Sequence, residues 1–565
     1  MSAVHSTGSP IPDDPELRRP PSSSGPSSPL EVARTASQHS SPSATNRSPK
    51  ASLHHEAYDI EHVPVDDDPR KWSPLRKNMS LTLIASAAMI AGLAGSVQNP
   101  AVKEMELDLP ATSTQFSLSV SLFVLVQGLF PLIWSALVYL ASLSVFTIGS
   151  VVVGISKSIE LVIGFRCFQA AGSSAVHAIG AATLADIFEP AERGTKMGIY
   201  YIAPLLGPAI GPIFGGALTT GFSWRAIFWF LTVVSGTNFL AFLLFFRDTF
   251  RRERSLTYQN ALKQRMVSGD LQPSIAASAV PGKDQKQDVL PDAEKGGATL
   301  PPSVAVVPSE PIVLSLMDVS PVRPLVLVMK RMNNVITLSV SGLLFAFCFL
   351  IPYTSARTLS AHYNYDALKI GLVTLCFGFG NMAGSVLGGR WSDYQLRALK
   401  AKNGGISKPE VSYLPPFRDG FQKPMTYPQM RLHSTFVGAI LLPPFALAFG
   451  WICQKQVHVS AICVFLFCCG FLSIWVYSST LAYIVDANNG RSSTAVACNS
   501  AFRGVSAFIA IEIAVPMQDK LGDGWMYTIW AGIMALNGVF IFLASWKGGE
   551  WRERSEAHES KMNAS

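Results

Sequence analysis

Residues Gly198 to Gly216 read GIYYIAPLLGPAIGPIFGG. The run is apolar enough to sit in a membrane, yet it is full of the two residues that weaken helices. Prolines stand at Pro204, Pro208 and Pro212, four apart. Each lacks an N–H, so the carbonyl four residues back loses its helical donor. For Pro208 and Pro212 that carbonyl belongs to the preceding proline. Gly207, Gly211 and Gly215 are also four apart, with Ala203 before them, a stripe on which another helix backbone can lie closely. Lipid cannot satisfy a freed carbonyl, so neighbouring helices must shield it. The run predicts a kinked, close-packed transmembrane helix. Its role is either purely structural or that of a hinge or gasket in a moving transporter.

Composition agrees with a membrane setting. The chain has 565 residues, 49% of them hydrophobic and 15% charged. That is too apolar for a soluble protein of this length and points to an all-α protein that crosses the bilayer many times. The net charge of +7 is concentrated in particular loops, so it marks topology and not a nucleic-acid patch. The eight cysteines lie in or at apolar runs, which argues against a disulfide framework. The Cys468–Cys469 pair lacks metal-ligand spacing, so neither metal nor cofactor is expected. The first ~70 residues hold no apolar core of signal-peptide length.

Residues 1–77 are rich in Ser and Pro and read as a disordered cytoplasmic tail. Twelve apolar runs follow: 78–97, 115–136, 137–155, 159–185, 196–217, 226–246, 335–356, 370–389, 433–452, 459–485, 496–516 and 525–546. They divide into bundles 78–246 and 335–546 about a cytoplasmic linker, 247–334, with a cytoplasmic tail at 547–565. Lysines and arginines crowd the connection 390–432 and the tail. The connections 98–114, 453–458 and 517–524 hold one base each. This alternation places both termini in the cytoplasm.

One junction breaks the pattern. From Phe116 to Val153 there is no charged residue, and GLFPLIWSALVYLASLSVF passes from the second run to the third without a turn signal. Read as one span, it would turn every later basic loop outward. About ten residues are therefore expected to be missing between Ala136 and Leu137, through a gene-model error or a genuine deletion.

Polar groups inside the membrane are the candidate working residues, because they are costly there. At about 100° per residue, Arg166, Gln169, Ser173 and His177 share one narrow sector of the fourth run. Such a stripe must face the bundle interior. Glu512 stands among Ile, Ala and Val in AFIAIEIAVPMQD and suits a proton site. Arg503 is nine residues earlier, on the opposite helical face, so the two are not an in-helix pair. Tyr200, Tyr201, Tyr353, Asn381, Trp475 and Tyr477 are candidates for a substrate cavity, though each alone is commonly a packing residue. No GxxxxGK[ST], HExxH or Ser/His/Asp constellation appears, so no enzyme is expected.

With these residues in view, the chain resembles the major facilitator superfamily. More narrowly, it is similar to the fungal twelve-span drug:proton antiporters near the quinidine-resistance branch. The resemblance covers roughly residues 64–555. Gly198, Pro204, Gly207, Pro208, Gly211, Pro212, Gly215 and Gly216 match the family's antiporter motif in span five. LVIGFRCFQAAG, 161–172, resembles the span-four motif whose arginine is implicated in proton coupling, which maps to Arg166. DIFEPAERG, 186–194, resembles the loop after span four. GGRWSD, with Gly389, Arg390 and Asp393, resembles the second-half copy of a gating-loop motif. GRSSTAVACNSAFRG, 490–504, is also similar to this group. The first-half copy of the gating loop belongs at Ala136/Leu137 and is absent.

The resemblance implies two six-helix bundles with pseudo-two-fold symmetry, rocking about a midplane cavity lined by spans one, four, seven and ten. Protons entering would drive a small organic molecule out, with Arg166 and Glu512 in proton coupling. The expected protein is a monomer in the plasma membrane. Its partners are substrate, protons and lipid, and no nucleic acid. Two other readings stay open: an exporter of one endogenous metabolite, such as an organic acid or polyamine, and a non-transporting sensor or inactive relative.

Overall fold

The computed structural model describes residues 68–132, 139–249, 251, 322–402, 427–488 and 491–564. Six long helices precede residue 250. They are α1 (Pro74–Ser96), α2 (Ser113–Leu129), α3 (Tyr139–Ile155), α4 (Ile159–Ile187), α5 (Pro190–Gly221) and α6 (Trp224–Phe245). Then come α7 (Met332–Tyr363), α8 (Ala367–Lys402), α9 (Phe436–Gln454) and α10 (Val459–Ala487). The last helical run, Ser492–Ala564, breaks at Gly522, where φ is 75° and ψ 170°. Only glycine adopts that conformation without strain. The segment before Gly522 is α11 and the one after it α12, so six helices again follow the linker. Among the described residues there is no strand.

Eight helical stretches are long and apolar enough to cross a membrane. Helix α4 is not among them: its 29 residues suffice in length, but the polar stripe dilutes its apolarity. Helices α2 and α3 are shorter, at 17 residues each. At ~1.5 Å per residue α2 covers about 26 Å, less than a ~30 Å hydrocarbon layer. The Ala136–Leu137 junction lies outside the described residues.

Several predicted boundaries move. DIFEPAERG is not a loop: α4 runs to Ile187, and Pro190 opens α5, leaving two residues between them. Proline at the first helical position costs nothing, because that N–H has no partner in any case. GGRWSD is not a loop either, since α8 continues through it to Lys402. The predicted C-terminal tail is helical to Ala564. Helix α5 stays helical past Pro204, Pro208 and Pro212.

Apolar packing falls into four clusters, and their membership sets the architecture. Take the end of the bundle that carries Trp72, Phe246, Val328 and the C-terminal helix as the termini end. There, one cluster joins Leu81, Ile84, Tyr139, Leu184, Phe188, Tyr200 and Phe242, all from α1–α6 and their flanks. A separate one joins Val328, Leu338, Leu432, Tyr483, Ala495 and Ala544, all from the second bundle and its flanks. A third fills the interior of the second bundle. The fourth mixes the halves: Tyr353, Ala507, Ile511 and Val515 pack with Leu93, Val97, Met105, Phe116 and Val120. The two bundles therefore share a core away from the termini end, while each closes its own core at that end.

The C-terminal helix is tied to the termini end of the second bundle. Arg331 Nε donates to Glu559 at 3.0 Å, and Arg491 Nη2 pairs with the same carboxylate at 2.9 Å. Side-chain exposure at Glu559 is only 15%, so this pair is better shielded than a surface ion pair. Glu559→Ala is expected to cost about 1–2 kcal/mol. Trypsin should then cut faster at Arg552 and Arg554, as read by C-terminal epitope loss; an unchanged cutting rate would mean that the tail is held by other contacts.

Candidate functional site

The motif on α5 lies between two helices, one from each bundle. A methyl built on Gly207 would sit 2.5 Å from the Met89 carbonyl oxygen, and one on Gly215 would sit 1.8 Å from that of Val97. Helix α1 therefore lies directly on the glycine stripe. The neighbouring face meets α8: a methyl on Gly216 would come within 2.4 Å of the Ala367 oxygen, and one on Gly371 within 2.3 Å of the Pro212 oxygen. The freed carbonyls are covered as their chemistry requires. Ser96 Oγ donates to the Pro208 oxygen at 3.4 Å, and Gly92 lies against the Pro204 oxygen. One helix thus packs without slack on its own bundle and carries the seam to the other.

Arg166 on α4 is fully buried. Its Nη1 donates to the Ala94 carbonyl at 3.0 Å and to Gln169 Oε1 at 2.8 Å. The guanidinium lies 4.1 Å from the Phe123 ring centroid. Gln169 Nε2 donates onward to Ser150 Oγ at 2.7 Å, and Gln127 Nε2 to Ser173 Oγ at 3.0 Å. The stripe therefore links α1, α2, α3 and α4 inside the first bundle. Arg166 Nε and Nη2 are buried without a hydrogen-bond partner among the described residues. His177, at the stripe's end, is half-buried, and the charge of Arg503 reaches it from the second bundle.

Glu512 bridges the seam. Ser121 Oγ donates to its Oε1 at 2.5 Å, and Ser117 Oγ approaches the same oxygen at 3.4 Å. Both serines are on α2, so a half-buried carboxyl of the second bundle is held by hydroxyls of the first. Arg503 and Glu512 do take opposite sides of α11. Glu512 faces α2, whereas the Arg503 guanidinium lies 3.7 Å from the Phe345 ring centroid and 5.4 Å from that of Tyr477. Sequence reasoning passed over Arg503. Its signal, a charge in mid-helix at AFRG, was available, but it was weighed only as a partner for Glu512.

The aromatic candidates separate. Tyr200 is buried and donates to the Val176 carbonyl at 3.2 Å, so it packs α5 on α4 and lines no cavity. Tyr353 is buried in the seam, its hydroxyl unpaired among the described residues. Trp475 donates to the Ser434 carbonyl at 3.2 Å and stacks edge-on with Phe471 and Trp391, which is packing within the second bundle. Asn381 lies against Gly470 of α10. Tyr201, 51% exposed on the first bundle, and the half-buried Tyr477 of the second lie within electrostatic reach of each other. A recess of 460 Å³ between α8 and α10, lined by Cys376, Phe379, Cys463, Val464 and Phe467, is wholly apolar and holds none of these residues.

In the helical GGRWSD segment, Gly389 has open space about it and Arg390 is exposed. Asp393 accepts from Arg431 Nη1 at 3.3 Å, and Arg431 Nε donates to Asp486 at 2.5 Å. This triad ties the ends of α8 and α10 to the short helix Tyr427–His433.

Comparison with known proteins agrees with this architecture. The Major Facilitator Superfamily model matches residues 84–406. The chain is 26% identical to MFS antiporter QDR3 of Candida albicans, over 87% of this chain and 80% of that one. It is 25% identical to Citrate exporter 1 of Aspergillus niger, over 90% of this chain and 93% of that one. A crystal structure of D-xylose-proton symporter superposes with a TM-score of 0.55 at 11% identity, covering 83% of this chain and 97% of that one, which shows the shared fold. The family match extends over more than half of the chain and the fold agrees with it, so this protein, an integral membrane protein of two six-helix bundles, belongs to the Major Facilitator Superfamily of transporters.

Proposed function

We propose that the chain exports small organic molecules in exchange for protons, by rocking its two bundles about a central substrate site. The observation that carries this reading is the one-sided seam. Apolar packing and the Glu512–Ser121 bond join the bundles away from the termini end, and separate cores face each other at that end. Bundles that share a core at one end and keep separate cores at the other suit one limit of alternating access. Relatives named as an antiporter, a multidrug transporter and a citrate exporter support export as the direction. On the basic-loop pattern the termini end is cytoplasmic and the protein faces inward. The parts are a tail (1–77), bundles 78–246 and 335–546, a linker (247–334) and a tail (547–565), working as a monomer in the plasma membrane.

In this reading Glu512 is the proton-coupling residue of the seam. Its charge strengthens the bonds from Ser117 and Ser121, and protonation from outside weakens them so that the bundles part. Glu512→Gln is expected to lower proton-driven export at least about tenfold, a change worth ~1.4 kcal/mol, while substrate exchange without net proton movement persists. Accumulation of a panel of drugs and organic acids in cells overexpressing the protein, with and without an uncoupler, tests the whole. Export that survives the uncoupler removes the proton; no export of any panel member removes the exporter.

A second reading, an inactive relative, is favoured by the 17-residue length of α2. It predicts that inserting a ~10-residue Gly/Asp/Arg turn between Ala136 and Leu137 raises export from background. Equal export with and without the insertion, both above background, would rule this reading out.

A further inference from the structure

We infer that the transported molecule is an organic anion, and that Arg503, whose guanidinium lies against the rings of Phe345 and Tyr477, binds its carboxylate. The inference rests on the export reading above and adds a substrate class to it.

Three charges stand in mid-helix, well inside the bundles: Arg166, Arg503 and Glu512. Each costs about 2.5–3.5 kcal/mol to place there, so each needs an occupation. Arg166 has one in Ala94 and Gln169, and Glu512 has one in Ser117 and Ser121. Arg503 Nε is buried without a hydrogen-bond partner among the described residues. Two aromatic rings instead flank its guanidinium. Cation–π contact of this kind partly offsets the burial of a charge and leaves the donor edge free. That edge is a planar fork whose geometry matches a carboxylate with two parallel bonds.

No acid on its own helix faces Arg503. Glu512 is the nearest acid along α11 and points away, into the α2 seam. Across the gap stands His177, within reach of the Arg503 charge. Nearby, the Tyr477 hydroxyl accepts from Asn499 Nδ2 at 3.5 Å and keeps its own proton to donate, and Tyr201 is exposed. A cationic substrate would meet an arginine in a region of low dielectric, whereas a carboxylate would neutralise it. Phe345, Tyr477 and Tyr201 suit an apolar or aromatic body attached to that carboxylate.

The full chain in proteoliposomes tests this, with radiolabelled benzoate and citrate as anionic probes and tetraphenylphosphonium as the cationic one. The wild type is expected to carry at least one of the anions. Arg503→Gln should raise its KM about tenfold or more, and Arg503→Lys, which keeps the charge without the fork, should recover part of that loss. If Arg503→Gln does not give a monodisperse protein, Arg503→Lys alone carries the test through a raised KM. An unchanged KM overturns the inference. So does a wild type that moves tetraphenylphosphonium and neither anion; in both cases the export reading stands. A wild type that moves none of the three probes sinks the export reading and this inference together.

Discussion

Gly215→Ala is expected to lower the yield of folded protein several-fold, while Gly216→Ala, one residue on, should spare the fold and impair transport. The added methyl at Gly215 would lie 1.8 Å from the Val97 carbonyl oxygen on α1, inside one rigid bundle. Backbone cannot swing aside as a side chain does, so α1 and α5 must separate. Overpacking of this kind costs about 1–3 kcal/mol and sometimes more, a large share of a net stability of about 5–15 kcal/mol. A fall in Tm of more than about 5 °C, read by size-exclusion fluorescence, is the expected sign. At Gly216 the methyl would lie 2.4 Å from the Ala367 oxygen on α8, which belongs to the other bundle. The bundles relieve that clash by parting, so Tm changes little. Export falls, because the state closed at the seam is disfavoured. Equal Tm losses for both variants would mean that α5 and α8 move as one body, and a rocking seam along α5 would be untenable.

Arg166→Ala is expected to abolish proton-driven export and to destabilise the first bundle by roughly 3–5 kcal/mol. The side chain is fully buried, and its removal leaves a cavity beside Phe123 and an unpaired Gln169 Oε1. Arg166→Lys separates the two roles. A lysine keeps the charge and one bond but loses the stack on Phe123, so about half of the stability should return while export stays at least about tenfold down. Export by Arg166→Ala at the wild-type rate would end the assignment of proton coupling to this residue. Arg166 lies within the first bundle, bonded to α1 and stacked on α2, so the effect of its loss on export is expected to pass through those helices.

Much of the candidate site was legible because helical periodicity is local. Arg166, Gln169 and Ser173 were expected on one face of one helix; Arg166 and Gln169 bond each other there, and Ser173 is met separately by Gln127. The freed proline carbonyls were expected to need shielding by a neighbour, and Ser96 supplies it at Pro208. Tyr200 and Tyr201 were not separable in the same way. Adjacent residues point about 100° apart on a helix, and which of them enters the core depends on where α4 lies. Arg503 was discounted because it was compared only with its own helix, while its contacts come from α7 and α10.

The sequence by itself determined the number and order of the helices, the close-packed character of Gly198–Gly216 and the sector of the polar stripe. Hydrophobic length, residue size and the 3.6-residue turn act within a single segment, so they can be read without knowing the neighbours. Tertiary structure alone decided which neighbours those are. It placed α1 on the Gly207–Gly215 stripe and α8 on Gly216, turned Glu512 to the serines of α2 and set Arg503 against two rings. Those outcomes depend on contacts between residues up to several hundred positions apart, and on which end of the two bundles closes first. No local pattern encodes that choice.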